Sequence, residues 1–241
     1  MGKKVVIISG GTSGIGKAAA ACLARDGYAC VLLGRDAARG DAVQKEISGS
    51  CFISCDVTDS AVCVRVVKEA AALGDIVGLV TAAGAYAEGL LEEMTDDAMR
   101  RLFDVNVFGT MFLVRAAIPY LRKTKGSVVT VASDAALIGN VQGSLYGATK
   151  AAVLGFTKSA ALELAADGIR ANCVCPGDID TPLLQKQVEA GATVSDMAAH
   201  YPLGRIGRAE EVGKVIAFLL SDASSFMMGA AVPVDGGLTA W

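Results

Sequence analysis

The sequence predicts an open, doubly wound α/β fold, a parallel sheet with helices on both faces. Three observations carry that expectation. Short β-branched and apolar runs alternate with longer stretches rich in Ala, Leu and Lys, the rhythm of repeated βα units. The runs are continuous rather than alternating, as in strands buried on both faces. The first of them, Val5-Val6-Ile7-Ile8, ends in a glycine-rich turn that opens onto a helical stretch. In order, strand 5–9 is followed by helix 17–25, which Gly27 stops, then strand 29–33, helix 36–47 and strand 51–55. Helix 59–73, strand 76–81, a long helical stretch 95–123, strand 127–132, helix 146–166 and strand 171–175 continue the alternation. There the rhythm breaks. Residues 177–208, with Pro182, Gly191, Pro202, Gly204 and Gly207, form a long mixed connection of the kind that serves as a lid or binding loop. Helix 210–220 and strand 231–234 complete a sheet of about seven strands.

No charge block or Pro/Ser-rich tract divides the 241 residues, so one domain, 1–241, with a large core is expected. Apolar residues make up 53% of the chain, yet every apolar run is broken too early for a membrane span. Met1-Gly2-Lys3-Lys4 leads straight into the first strand and suits neither a secretion signal nor a myristoyl anchor. A net charge of −3 with mixed signs, and a single basic cluster at Arg122-Lys123-Thr124-Lys125 that fits a helix C-terminus, argue against nucleic acid. Seven cysteines sit mostly in apolar runs, and His200 is the only histidine, so no metal site is expected. They read as reduced, buried hydrophobes, which points to a cytoplasmic protein.

Glycines 10, 14 and 16 fall where the first strand turns into the first helix. Such a turn needs positive φ and close backbone approach, and the helix N-terminus offers free N–H groups to a pyrophosphate. The spacing is Gly-x-x-x-Gly-x-Gly, and it lacks the Lys-Ser/Thr ending of a nucleotide-hydrolase loop. Farther along, Tyr146 and Lys150 stand at i and i+4, on one face of a helix. An ammonium there favours the phenolate, and so lowers a phenol pKa that is ordinarily about 10 toward the range useful for proton exchange. Alone, the pair is equally a surface ion-dipole contact.

The order of these motifs resembles the short-chain dehydrogenase/reductase family, and the likeness runs from the first strand to Asp235-Gly236-Gly237. The resemblance implies a Rossmann-type domain and a nicotinamide dinucleotide held by Gly10, Thr12, Ser13, Gly14, Ile15 and Gly16, with Asp56 and Val57 at the adenine. Ala83 and Gly84 follow the fourth strand, and Pro176, Gly177, Ile179 and Thr181 would lie along the nicotinamide. It further implies Asn106, Ser133, Tyr146 and Lys150 as the catalytic set. Tyr146 would give a proton to a developing alkoxide and Ser133 would polarise the carbonyl. Lys150 would tune the phenol and bond the ribose, and Asn106 would hold a water joining Lys150 to solvent. For Ser133 the plainer alternative is a helix cap, and for Asn106 a structural kink.

Two positions depart from the family pattern. Thr81-Ala82-Ala83-Gly84 replaces Asn-Asn-Ala-Gly, leaving Thr81 to supply part of the missing amide bonding. Asp178 brings a carboxylate near the expected pocket. Gly34 stands at the acidic position that would hold the 2′-OH of NAD, with Arg35 beside it, which favours NADP(H) and leaves NAD(H) as the alternative. Against that preference, Ser13 is not basic and Asp36 could reach the ribose. Substrate contacts are expected from Ser133, Asp134, Gln142, Tyr146 and Asp178, with Tyr86, Leu137, Asn140 and the loop 183–202 as further walls. Mixed polarity suits a small-molecule ketone or alcohol that is steroid-like, bile-acid-like or polyol-like. A β-ketoacyl carrier-protein reductase is the alternative, although Ser13 and the ending Gly237-Leu238-Thr239-Ala240-Trp241 offer it no support. A non-catalytic regulator would be expected to lose Tyr146, Lys150 or Ser133, and all three are intact. The resemblance also implies a homotetramer built on the helices 103–123 and 146–166 and the C-terminal strand.

Overall fold

A computed structural model of the chain describes residues 2–189 and 191–240; Met1, Ala190 and Trp241 lie outside the described residues. The first half runs β1 (Lys4–Ser9), α1 (Gly14–Arg25), β2 (Ala29–Gly34), α2 (Ala37–Glu46), β3 (Ser50–Ser54), α3 (Ser60–Ala71) and β4 (Asp75–Thr81). The second runs α4 (Asp96–Phe103), α5 (Gly109–Thr124), β5 (Ser127–Val131), α6 (Ser144–Leu164) and β6 (Arg170–Pro176). After these come β7 (Ile179–Asp180), α7 (Pro182–Glu189), α8 (Val194–Ala199), β8 (Gly207–Arg208), α9 (Ala209–Leu220) and β9 (Ala231–Val234).

Seven strands form one parallel sheet in the order β3-β2-β1-β4-β5-β6-β9. The period of two along β1 explains its two cores. Val5 and Ile7 face one layer with residues of α3, α5 and α6, whereas Val6 and Ile8 face the other with α1, α2 and α9. Because β1 lies between β2 and β4, the order in which strands are added reverses at it while the strands stay parallel, and the crevice beyond the C-terminal ends of β1 and β4 is where an open α/β sheet receives a ligand.

Helix boundaries differ from the sequence expectation where glycine or tertiary contacts override propensity. α1 begins at Gly14, since its first turn contains the two glycines that argue against a helix on propensity alone. The expected single helix over 95–123 is interrupted by a π-turn at Asp104–Phe108, with Asn106 inside it. By length and composition, Asp96–Thr124 would qualify as a membrane span, but Leu113, Val114, Ala117 and Leu121 are spent on the core. The described residues of the 177–208 segment hold more secondary structure than its composition suggested. Pro182 occupies the first turn of α7, where a missing N–H costs nothing, and β7 pairs with β8 to close the segment's base.

Thr81 does not take over any of the missing amide bonding. Its hydroxyl is buried without a hydrogen-bond partner among the described residues, and the stitching between β1 and the chain after β4 falls to Ser9 instead. The Ser9 hydroxyl accepts from the Ala83 N–H at 3.1 Å, and its carbonyl accepts from the Ala82 N–H at 3.2 Å. A buried hydroxyl without a partner costs about 1–3 kcal/mol. Thr81→Val keeps the shape and removes that cost, so chemical denaturation should show it about 1 kcal/mol more stable than the parent.

Candidate active site

The turn after β1 is shaped for a ligand that approaches the backbone. Gly10 has φ +66°, and a Cβ there would lie 2.8 Å from the Ala82 carbonyl oxygen and the Ala83 nitrogen. A Cβ on Gly16 would collide with the Gly10 carbonyl. At the N-terminus of α1 the Ser13 hydroxyl caps nothing and the first turn carries no acidic residue, so its N–H groups and positive dipole end stay available to an anion. Gly10, Ser13 and Gly14 line one end of a cleft of about 1670 Å³ that runs across the crevice to the 177–208 segment. The cradle fits a dinucleotide pyrophosphate.

Arg35 and Arg39 line the same end of the cleft. A Cβ on Gly34 would stand 3.0 Å from the Thr12 hydroxyl, so a carboxylate side chain at the end of β2 could enter only if Thr12 gave way. Asp36 is occupied elsewhere. Its carboxylate caps α2 by accepting from the Arg39 N–H at 3.0 Å and pairs with the Arg39 guanidinium at 3.1 Å. Asp56 and Val57 also line the cleft, and the Asp56 carboxyl is held below its usual range by the N–H and hydroxyl of Thr58.

At the other end, the chain leaving β5 turns at Ser133 and α6 supplies Tyr146 and Lys150 on one face. Ser133 is both the cap of a short 3-10 turn and a cleft residue. Its Oγ accepts from the Ala135 N–H at 3.2 Å and donates to Asp134 Oδ1 at 2.6 Å. Lys150 is buried, and its Nζ donates to the Val131 carbonyl at 3.0 Å and lies 5.6 Å from the Tyr146 ring centre. Tyr86 meets Tyr146 edge to face, with ring centres 4.8 Å apart.

The electrostatics reverse one expectation. Burial pushes the Tyr146 phenol above its usual range; the nearby Ser133 hydroxyl opposes the rise, and the Asp134 and Asp178 carboxylates add to it. Burial likewise brings Lys150 down to about 8. Desolvation therefore outweighs the charge of a lysine whose nearest bonded partner is a backbone carbonyl rather than the phenol. In the protein as it stands, Tyr146 is a neutral acid at physiological pH. Burial also raises the carboxyls of Asp134 and Asp178.

Most expected site residues converge. Gly10, Thr12, Ser13, Gly14, Ile15, Arg35, Asp56, Val57, Ala83, Gly84, Ser133, Asp134, Tyr146, Lys150, Pro176, Gly177, Asp178, Ile179 and Thr181 all line the cleft. Gln142 and Leu137 do not. Gln142 is exposed, takes φ +61°, and accepts from the Gly89 N–H through its carbonyl at 3.0 Å. Asn106 lies behind the wall. Its Oδ1 accepts from the Ala85 N–H at 2.8 Å, and its amide donates to the Ala85 carbonyl and to Thr149 Oγ1, each at 3.0 Å. Gly16 is packed under Gly10, outside the lining.

A family model described as enoyl-(acyl carrier protein) reductase matches residues 10–239, nearly the whole chain. The chain belongs to the short-chain dehydrogenase/reductase family. As a short-chain dehydrogenase/reductase it is an NAD(P)-dependent oxidoreductase acting on CH–OH groups. It is similar to L-fucose dehydrogenase of Mus musculus, with 36% identity over 97% of this chain and 88% of that one. It is also similar to cis-4-hydroxycyclohexanecarboxylate dehydrogenase of Sinomonas cyclohexanicum, with 38% identity over 99% and 97%. Among solved structures, ElxO with NADP bound superposes over 100% of both chains with a TM-score of 0.93 and 31% identity.

Sequence reasoning missed several groups around this short-chain dehydrogenase/reductase cleft. Tyr201 is buried, and its hydroxyl accepts the Asp178 N–H at 2.6 Å, so it ties the chain after α8 to the Pro176-Gly177 turn. A Cβ on Gly177 would come within 2.8 Å of the Tyr201 ring, which explains glycine there. The signal available was the lone aromatic of residues 177–208, beside Pro202. Glu88 lines the cleft while accepting from the Tyr86 hydroxyl at 2.8 Å, and nothing in its local sequence marks it.

Proposed function

We propose that the enzyme interconverts a ketone and a secondary alcohol on an uncharged, hydroxylated substrate such as a sugar or polyol, using NADP(H). The single observation that carries the reading is the convergence of Ser133, Tyr146 and Lys150 at one end of a cleft whose other end is a pyrophosphate cradle. When bound, the nicotinamide supplies or accepts the hydride. Tyr146, held as a neutral phenol, donates its proton to the substrate oxygen in reduction, and Ser133 hydrogen-bonds that oxygen. Lys150 holds positive charge next to the phenolate left behind. A Cβ on Gly84 would sit 3.5 Å from Asn106 Oδ1 and 3.7 Å from Lys150 Nζ, so the two groups flank one small space suited to the water of a proton path.

Glu88, Asp134, Asp178 and Asp180 line the cleft, with His200 and Lys150 as basic residues beside them. Such a wall favours neutral polyhydroxylated substrates and disfavours carboxylates and carrier-bound acyl groups. The likeness to L-fucose dehydrogenase supports the same class. The test is a cofactor-consumption screen over neutral sugars and polyols, hydroxyketones, steroids and acyl thioesters. Preference for acyl thioesters would sink the polyol reading in favour of the carrier-protein reductase.

NADP(H) is supported by Arg35 and Arg39 in the cleft, the crowding at Gly34 and the engagement of Asp36. Arg35→Ala should weaken NADPH binding about ten- to a hundredfold in a fluorescence titration, the worth of a charge-assisted phosphate contact, and leave NADH little changed. Unaltered NADPH affinity would overturn the assignment. Exposed Phe108 and Leu162, on the π-turn and α6, support a homo-oligomer built on these helices. Seven free cysteines support a reducing, cytoplasmic setting.

A further inference from the structure

Asp134 is the residue beside Ser133, and its two oxygens have different fates. Oδ1 accepts from Ser133 Oγ at 2.6 Å and from the Ala135 N–H at 2.8 Å. Oδ2 receives no protein donor among the described residues, although Asp134 is only 8% exposed and lines the cleft. A carboxylate oxygen that opens on the cleft without a protein donor is left for water or a ligand to satisfy. What arrives must donate a hydrogen bond, and it must do so one residue from the hydroxyl that meets the reacting oxygen. On a substrate, the group so placed is carried by the carbon next to the reacting one.

We infer that Asp134 is a specificity residue whose Oδ2 accepts a hydrogen bond from a hydroxyl on the carbon adjacent to the reacting carbon, so that the enzyme selects α-hydroxyketones and vicinal diols. The inference rests on the proposed role of Ser133 at the substrate oxygen and narrows the substrate class that follows from it. Asp178, across the cleft, adds negative potential that strengthens the preference for a donor over an acceptor at this position. The fixed Ala135 N–H holds the carboxylate in place before substrate enters, so that orienting it costs little at binding.

The experiment compares kcat/KM with NADPH for three ketones of one skeleton, acetoin, 3-methoxy-2-butanone and 2-butanone. The cyclic set, 2-hydroxycyclohexanone, 2-methoxycyclohexanone and cyclohexanone, serves as a second series. The methoxy compound keeps the electron withdrawal that activates the carbonyl and loses the donor; the parent ketone loses the substituent's bulk as well. In the wild-type enzyme the hydroxyketone should be preferred over both at least tenfold, the scale of one hydrogen bond to a charged acceptor. In Asp134→Ala the ratio of hydroxy to methoxy substrate should collapse toward one. A mere loss of fold or of Ser133 placement lowers all three substrates together and leaves the ratio intact. Equal use of hydroxy and methoxy ketones by the wild type, with turnover still dependent on Tyr146, overturns the inference and leaves the ketone reductase standing. A ratio that survives in Asp134→Ala also overturns it. An α-aminoketone preferred over the hydroxyketone overturns it in favour of a cation. Turnover of no ketone in either series, nor of any in the wider screen, removes the proposed function and the inference together.

Discussion

Tyr146→Phe is expected to lower kcat for ketone reduction by about 10²–10⁴-fold while the protein stays folded, because it removes one hydroxyl that works as a general acid and keeps the ring. The ring matters for packing. It stands edge to face against Tyr86, a contact phenylalanine preserves. The hydroxyl is held protonated by burial, and the same burial leaves Lys150 titrating near 8. The sign of the pH dependence follows. Lys150 carries its charge below about 8 and loses it as pH rises through that value, so support for the phenolate formed on proton donation is present at pH 7 and fades by pH 9. Wild-type kcat for reduction should therefore fall on the alkaline side with a midpoint near 8. A flat profile from pH 7 to 9.5, or a Phe variant within a few fold of wild type, would remove Tyr146 and Lys150 from the proton path.

How much of this was legible beforehand depended on how local the cause was. The strands of the sheet could be read because β-branched runs buried on both faces leave a continuous signature, as in Val5-Val6-Ile7-Ile8. The Tyr146 and Lys150 pair could be read because helical spacing alone puts them on one face. The protonation of Tyr146 could not, since spacing reports the lysine and says nothing of the burial that outweighs it. Thr81 looked like a substitute hydrogen-bonding group, yet its environment leaves the hydroxyl alone, and Ser9, distant in sequence, does the bonding. Gln142 fell close to Tyr146 in sequence but a left-handed turn carries it outside the cleft. Tyr201 reaches back to Asp178, a contact between segments with no shared pattern.

Asn106 joins both sides of that division, and its replacement should be the most damaging to stability. A poor helix former, it stands inside the π-turn at Asp104–Phe108. The π-turn swings its side chain out of the helix ladder so that one amide completes both backbone groups of Ala85 and reaches Thr149 on α6. Asn106 is 1% exposed, so Asn106→Ala removes three hydrogen bonds at once and leaves the part-buried N–H and carbonyl of Ala85 and the Thr149 hydroxyl each short of a partner. At about 1–3 kcal/mol for each unsatisfied group, the net loss should reach roughly 3 kcal/mol or more in urea unfolding. Asn106→Asp is nearly isosteric and distinguishes bonding from volume. It keeps the acceptor for the Ala85 N–H but turns the donating nitrogen into a second acceptor facing the Ala85 carbonyl, and it adds a buried charge. It should therefore be at least as destabilising as alanine. Aspartate tolerated better than alanine would mean that the amide's shape, rather than its donor, holds Ala83-Gly84-Ala85 against the cleft.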